Sequence, residues 1–268
     1  GFILFSRNIA DPAQLKALIE ELNGAVTNTH LHVLVDQEGG RVRRLKPPHF
    51  QDAKAAKTFR DLAETDLDKA KDETFNAHFN MGLELKSLGF TMNCAPVADI
   101  FYPWAHDIIG DRSFGSTPQQ VAELCKSALN GLNKAGIAGI VKHIPGHGRA
   151  LSDSHFELPR VNTSLTELEA TDFEAFKLLN DAPFAMTAHV VYEALDPLNP
   201  ATTSSIVIDY IRNQLGFKGA IMSDDLAMKA LSGTPAENAK AALAAGCDLL
   251  LHCNGNMNEM VEIVKEIM

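Results

Sequence analysis

The sequence predicts a parallel α/β fold of the (β/α)8, TIM-like barrel type, and three observations carry the prediction. Seven short runs are apolar on consecutive positions, the pattern of strands buried on both faces. Helical segments with start and stop signals lie between them, and strict strand–helix alternation builds a parallel sheet. Nearly every run ends in an ionisable or hydrogen-bonding residue, and a barrel of this type carries its active site at the carboxyl ends of its strands.

The runs, in order, are FILF (2–5), LHVLVD (31–36), FTMNCAPV (90–97), GIAGIVKH (136–143), FAMTAHV (184–190), KGAIMSDD (218–225) and CDLLLH (247–252). DPAQ (11–14), TPQQ (117–120), SLTE (164–167) and TPAE (234–237) are helix starts. Each offers a side-chain oxygen at the cap with Glu or Gln three residues on, and Pro12, Pro118 and Pro235 stand at first helical positions. Gly24, Gly89, Gly136, Gly216 and Gly246 mark helix ends, Gly24 opening a short linker and the others leading into strands. No GxGxxG follows the first strand, which disfavours a dinucleotide-binding open sheet. Seven strands are visible where a barrel needs eight, and the chain opens on Gly1 with a strand already under way, so either the first strand lies upstream of residue 1 or the barrel is incomplete, and an open doubly wound sheet is the alternative. No shift in composition, linker or repeat divides residues 1–268, which are read as a single catalytic barrel domain with trimmed termini.

Of the 268 residues, 46% are hydrophobic and 22% charged, as in a globular protein. No apolar run reaches the roughly 18–20 residues that span a bilayer, so no membrane partner is expected. Twenty-four Lys and Arg against 34 Asp and Glu give a formal net charge of −10, and without a basic cluster nucleic acid is not a partner. Cys94, Cys125, Cys247 and Cys253 form no CxxC pair and are expected to be reduced, mostly buried thiols in a cytoplasmic protein. A monomer is expected.

The strand ends carry Asp36 with Gln37 and Glu38, then Asp99, Lys142 with His143, His189, Asp224 with Asp225, and His252 with Asn254. Three segments stand out. In KHIPGHGRALSDSHFELP (142–159), Pro and Gly force irregular backbone right after a strand, and His143, His147 and His155 lie close in sequence. The same Pro and Gly prevent the helix that would put His143 and His147 on one face, and no HExxH is present, so no metal and no cofactor is expected. Asp153 and His155, two apart on a loop, suit proton transfer: a carboxylate on one imidazole nitrogen fixes the tautomer and raises the basicity of the other. In GFKGAIMSDDLAM (216–228) a strand runs into Asp224 and Asp225. Only one of them can face the barrel axis, where a carboxylate can attack an anomeric carbon; the other is expected to cap the following helix. In VDQEGGRVRRL (35–45), Gly39 and Gly40 make a tight turn between Asp36 and Arg41, Arg43 and Arg44. A carboxylate for vicinal hydroxyls with an Arg donor suits a sugar, while Arg41 or Arg43 fits a surface ion pair better; Arg112 in IGDRSFG (109–115) is another candidate donor.

Together, GFILFSRN (1–8), VDQEGGRVRRL, APVADI (95–100), IGDRSFG, KHIPGHG (142–148) with DSH (153–155), and SDDLAM (223–228) resemble glycoside hydrolase family 3. More narrowly they resemble its bacterial β-N-acetylglucosaminidases of the NagZ type, which recycle cell-wall fragments. The resemblance spans almost the whole chain, in family order. It implies a (β/α)8-type barrel, Asp224 as nucleophile, His155 as general acid/base with Asp153 as its partner, and Asp36, Arg44, Arg112, Lys142 and His143 as residues that hold an N-acetylglucosamine ring. It implies a small carbohydrate substrate, N-acetylglucosaminyl muropeptide fragments of peptidoglycan, hydrolysed with retention, and a loop carrying His155 that closes over it. Two other readings of the same residues are a phosphorylase, since an imidazole acid/base does not repel phosphate, and a non-catalytic sugar-binding protein. A metal-dependent amidohydrolase ranks third.

Overall fold

The structure is a computed structural model that describes residues 1–26 and 31–268. The chain forms two compact units, 1–97 with 111–114 and 123–141, and 98–110 with 115–122 and 142–268. In the first, β1 (Phe2–Leu4), β2 (Val33–Val35), β3 (Met92–Asn93) and β4 (Ala138–Gly139) pair in that order, all parallel. Leu4 lies opposite Val35, Val35 opposite Asn93, and Asn93 opposite Gly139, so the strands end level and whatever follows them is gathered at one edge.

Helices α1 (Pro12–Ala25), α2 (Ala56–Ala63), α3 (Leu67–Leu88) and α4 (Pro118–Lys134) punctuate these strands. In α3, Ala70, Thr74, His78, Met81, Leu85 and Leu88 are buried three or four positions apart, which is one helical face. Met81, Leu85 and Leu88 join Leu15 and Ile19 of α1 and Val33, Val35 and Phe90 in one cluster. Each such side chain fully withdrawn from water contributes roughly 1.5–3 kcal/mol.

The second unit holds β5 (Val141–Ile144, after its first residue), β6 (Arg160–Val161), α5 (Leu165–Ala170), α6 (Asp172–Lys177), β7 (Phe184–Thr187), β8 (Val191–Tyr192), α7 (Ser205–Asn213), β9 (Ala220–Asp225), α8 (Pro235–Ala245), β10 (Leu249–Leu251) and α9 (Met257–Ile267). Its main sheet has the order β10-β9-β7-β5, and β6 pairs with β8 in a small parallel sheet.

The α/β class with parallel strands and all seven runs is as the sequence predicts, with two differences. The fourth run yields two strands, because the Ile140 amide turns to the carbonyls of Asn93 and Ala95 (3.0 and 2.9 Å), ending β4 before β5 begins. The paired strands of the described residues are two four-stranded sheets and one two-stranded sheet. The two-residue strands β6 and β8 are too short to leave a periodic signal.

The four helix starts behave as their sequences require. Asp11, Thr117, Ser164 and Thr234 each accept the backbone N–H three residues on, at 2.9, 3.3, 3.4 and 3.2 Å, and Glu237 reaches back to the Thr234 amide at 2.8 Å. Gly89 and Gly246 close α3 and α8 in the left-handed conformation. Gly24 does not end α1, which continues through Ala25; residues 27–30 of the linker it opens lie outside the described residues. The cysteines are free thiols, three of them buried and Cys253 half-buried. Among the described residues no helix is long and apolar enough to cross a membrane.

Asp196, in the loop after β8, shows how that loop is held. Its Oδ1 accepts the amides of Leu198 and Asn199 (2.9 and 3.2 Å), and its Oδ2 accepts the Asn199 side-chain amide and the Ser204 hydroxyl (3.0 and 2.6 Å). Burial alone would raise this carboxyl, but those donors outweigh it and bring it down to about 2. Asp196→Ala is therefore expected to lose roughly 2 kcal/mol at pH 7, since each tenfold preference for the ionised form is worth about 1.4 kcal/mol. Because the folded value is the lower one, the contribution is complete above the ordinary aspartate range and fades as pH falls toward 2. Chemical denaturation of wild type and variant at pH 7 and pH 3 checks this: the gap should narrow at pH 3.

Candidate active site

In the first unit, the turn after β2 sets the polar groups. Gly39 and Gly40 have φ of 100° and 57°, and a Cβ on Gly39 would fall 2.1 Å from the Lys54 carbonyl oxygen, so only glycine fits. The chain returns so that the Glu38 amide bonds the Val42 carbonyl at 2.9 Å. Buried Gln37 then clamps the returning strand: its Oε1 accepts the amides of Arg44 and Leu45 (2.8 and 3.0 Å) and its Nε2 donates to the Leu45 carbonyl (3.0 Å). Asn93 at the end of β3 fixes the backbone of Gln37 from both sides, at 3.0 and 2.8 Å. The result is Arg44 Nη2 at 3.1 Å from Asp36 Oδ2, a half-buried acid–guanidinium pair. Arg112 makes a fork-to-fork pair with Glu38 (2.8 and 2.9 Å), nearly withdrawn from solvent. Arg41 and Arg43 pair instead with Asp111 and Asp52, the surface role expected of them.

In the second unit, Asp99 organises the loop after β5. It is wholly buried; its Oδ2 lies 2.7 Å from His143 Nδ1 and its Oδ1 accepts the amides of His143 and His147 (3.2 and 2.6 Å). Burial pushes this carboxyl up, and the facing histidines outweigh it and hold it below its ordinary value. The rings of His143 and His147 meet edge to face with centroids 5.6 Å apart, so a turn achieves the proximity that no helix here could. Lys142 is buried beside His143 on β5.

Further along the same loop, Asp153 Oδ1 accepts both the His155 amide (2.8 Å) and the His155 ring Nδ1 (2.7 Å). A carboxylate only accepts, so Nδ1 carries the hydrogen and Nε2 is left to take or give a proton. The imidazole is 61% exposed, while Asp153 is 15% exposed. Burial would raise the Asp153 carboxyl, but the two bonds from His155 leave it below its ordinary value. Between them, buried Ser154 has its hydroxyl 3.2 Å from His147 Nε2.

At the end of β9, Asp224 and Asp225 divide their roles. The Asp225 carboxylate accepts the amides of Ala227 and Cys253 (3.1 and 3.0 Å), holding a turn and not, as expected, the next helix, which starts only at Pro235. The half-buried Asp224 carboxylate has one hydrogen bond among the described residues, from the Asp225 amide to Oδ1 (2.8 Å), which leaves Oδ2 open. Burial would raise its pKa; facing His189 and His143, then the Asp225 amide and Lys142, outweigh burial and keep it below the ordinary range. A relay lies beneath it: His189 Nε2 donates to the Asp225 carbonyl (2.9 Å), His189 Nδ1 meets Thr202 Oγ1 (2.7 Å), Thr202 meets Thr187 Oγ1 (2.8 Å), and Thr187 accepts the Asp224 amide (3.3 Å). Gln37, Glu38, Asp99 and His189 were visible as polar strand ends, but Thr187 and Thr202 carry no sequence signal that separates them from other core threonines. Among the described residues no three His, Cys, Asp or Glu are grouped as a metal site.

The model of the glycosyl hydrolase family 3 N-terminal domain matches residues 1–268. A beta-hexosaminidase of Alkalilimnicola ehrlichii is 40% identical over 259 residues, covering 95% of this chain and 73% of that protein. NagZ from Neisseria gonorrhoeae superposes with a TM-score of 0.92 at 35% identity, over 100% of this chain and 78% of that one. Its complex with N-trifluoroacetyl-D-glucosamine gives 0.89 at 35% identity, over 99% and 76%. A family 3 β-N-acetylglucosaminidase from Paenibacillus gives 0.90 at 34% identity over 98% of this chain, which spans only 50% of that longer protein. These matches define a glycoside hydrolase of the α/β, TIM-like class. The chain belongs to glycoside hydrolase family 3.

Proposed function

We propose that the chain is a retaining β-N-acetylglucosaminidase that works through a covalent intermediate on Asp224. The observation that carries this reading is the Asp153–His155 bond of 2.7 Å, which leaves His155 Nε2 as an open proton carrier on an exposed loop. An imidazole with one nitrogen held by a carboxylate can give a proton from the other and take it back, as a general acid and base must. Asp224 Oδ2 attacks the anomeric carbon as the bond to the leaving oxygen breaks, and that oxygen takes the proton from His155 Nε2. A water then gives its proton back to Nε2 and displaces Asp224, so configuration is retained. Closure of the loop brings the ring to the leaving oxygen. The resemblance assigns Asp36, Arg44, Arg112, Lys142 and His143 to the sugar ring, and N-acetylglucosaminyl muropeptide fragments in cytoplasmic cell-wall recycling as the substrate. The beta-hexosaminidase and NagZ relatives support the sugar class.

Turnover of a chromogenic N-acetyl-β-glucosaminide beside the matching β-glucoside tests the reading. The N-acetylated substrate should be preferred by at least about tenfold, since a site built to hydrogen-bond a group rejects its absence strongly. Preference for the glucoside sinks the substrate assignment. Adding inorganic phosphate should change neither rate nor product; a sugar 1-phosphate would make the enzyme a phosphorylase.

A further inference from the structure

We propose that Tyr102 and Trp104 form a stacking platform for the sugar ring on the leaving-group side of the bond that is cut. This rests on the reading of His155 as the acid. The group that protonates the leaving oxygen stands on the leaving group's side, so the surface adjoining its loop is where that sugar must lie.

Trp104 is the chain's single tryptophan, and it is 56% exposed. More than half of a large ring, apolar in body and polar at one tip, is therefore available to a ligand. It is also firmly backed. Its ring lies 5.0 Å from that of Tyr102 at 36°, and the Arg149 guanidinium stands 4.6 Å from the Tyr102 centroid and 5.9 Å from that of Trp104. Tyr102 Oη donates to the buried carboxylate of Asp172 (3.0 Å), and Arg149 Nε donates to the same oxygen (2.6 Å). Arg149 also reaches Thr171 (3.1 Å) and Glu167 (2.9 Å). Tyr102 and Arg149 are thus anchored by one buried acid, and the half-exposed indole of Trp104 rests against both.

The platform adjoins the acid's loop. The His106 amide, two residues after Trp104, bonds the Ala150 carbonyl at 3.0 Å, three residues before Asp153. A β-linked pyranose with equatorial substituents presents an apolar face of axial C–H bonds, which is what an indole face accepts. The ligand class is therefore a β-linked disaccharide, its second ring on Trp104.

A single tryptophan makes the test direct. Titration with a thio-linked, uncleavable N-acetylglucosaminyl disaccharide should give a saturable change in tryptophan emission, and N-acetylglucosamine alone a much smaller one. For Trp104→Ala, kcat/KM on the oxygen-linked disaccharide should fall about tenfold relative to the methyl glycoside, the scale of one lost aromatic contact. Trp104→Phe, which keeps a ring, should recover most of it. Emission that stays flat with the disaccharide, or a disaccharide-to-methyl ratio unchanged in Trp104→Ala, overturns the platform. If the unaltered chain cleaves neither substrate, the reading of the reaction fails instead, and the emission titration still decides the platform.

Discussion

Asp224→Asn is expected to lower kcat on the order of 10⁴-fold or more, the scale of loss when a covalent nucleophile is removed. The amide keeps the volume and can still accept the Asp225 amide, so the loss reports the missing nucleophilic oxygen and not a collapsed strand end. Two further measurements separate nucleophile from bystander. A fluorinated glycosyl donor that slows breakdown of the ester should add its mass to the peptide carrying Asp224. In Asp224→Gly, added azide should restore turnover of an activated aryl glycoside and yield a glycosyl azide of inverted configuration. A label on another residue, or no rescue, would remove Asp224 from the role. The pH profile follows from the same environment. Asp224 is held below the ordinary carboxylate range, so its reactive ionised form persists to lower pH than that of an ordinary aspartate and is lost only as pH falls through that depressed value. The acid limb it sets in kcat/KM therefore lies beneath that of an unperturbed aspartate.

How far the sequence reached can be seen in these residues. Signals that act within a few positions were legible, because the chain itself enforces them. Asp11, Thr117, Ser164 and Thr234 cap the N–H three residues on, Gly39 and Gly40 bend the chain after β2, and Asp153 bonds a ring two residues away. The Arg44–Asp36 pair needs only eight residues and the turn between them. Partners supplied by distant segments were not legible. Glu38 is 74 positions from Arg112, Asp99 is 44 from His143, and Asp224 leans on Thr187, 37 positions away. Apart from Thr187 the residues themselves stand out in the sequence, but nothing local shows which distant partner each will meet. The division of labour between Asp224 and Asp225 follows the same rule: alternation said that one alone could face inward, and only the amides of Ala227 and Cys253 decide which is consumed by structure.

His155→Ala is the second large effect, and its size should depend on the leaving group. Protonation matters when the departing oxygen is basic. For a sugar or alkyl aglycone the loss should fall within about 10²–10⁴-fold, the usual worth of a positioned general acid. An aryl aglycone that leaves readily as its anion needs no proton, so formation of the covalent intermediate should be nearly unimpaired. Its breakdown still needs a base to activate water, so the variant should show a burst of released phenol followed by a slow steady state, with the intermediate accumulating on Asp224. Azide, which needs no deprotonation, should speed that second phase. Asp153→Asn probes the same pair more gently. Its side-chain oxygen can still accept Nδ1–H, but it no longer faces the developing imidazolium with a full charge, so the penalty should be smaller than for His155→Ala and should follow the same leaving-group trend. Equal losses for alkyl and activated aryl substrates in His155→Ala would mean that the ring positions substrate and does not transfer the proton, and the Asp153–His155 bond would then have to be explained as an anchor of its loop.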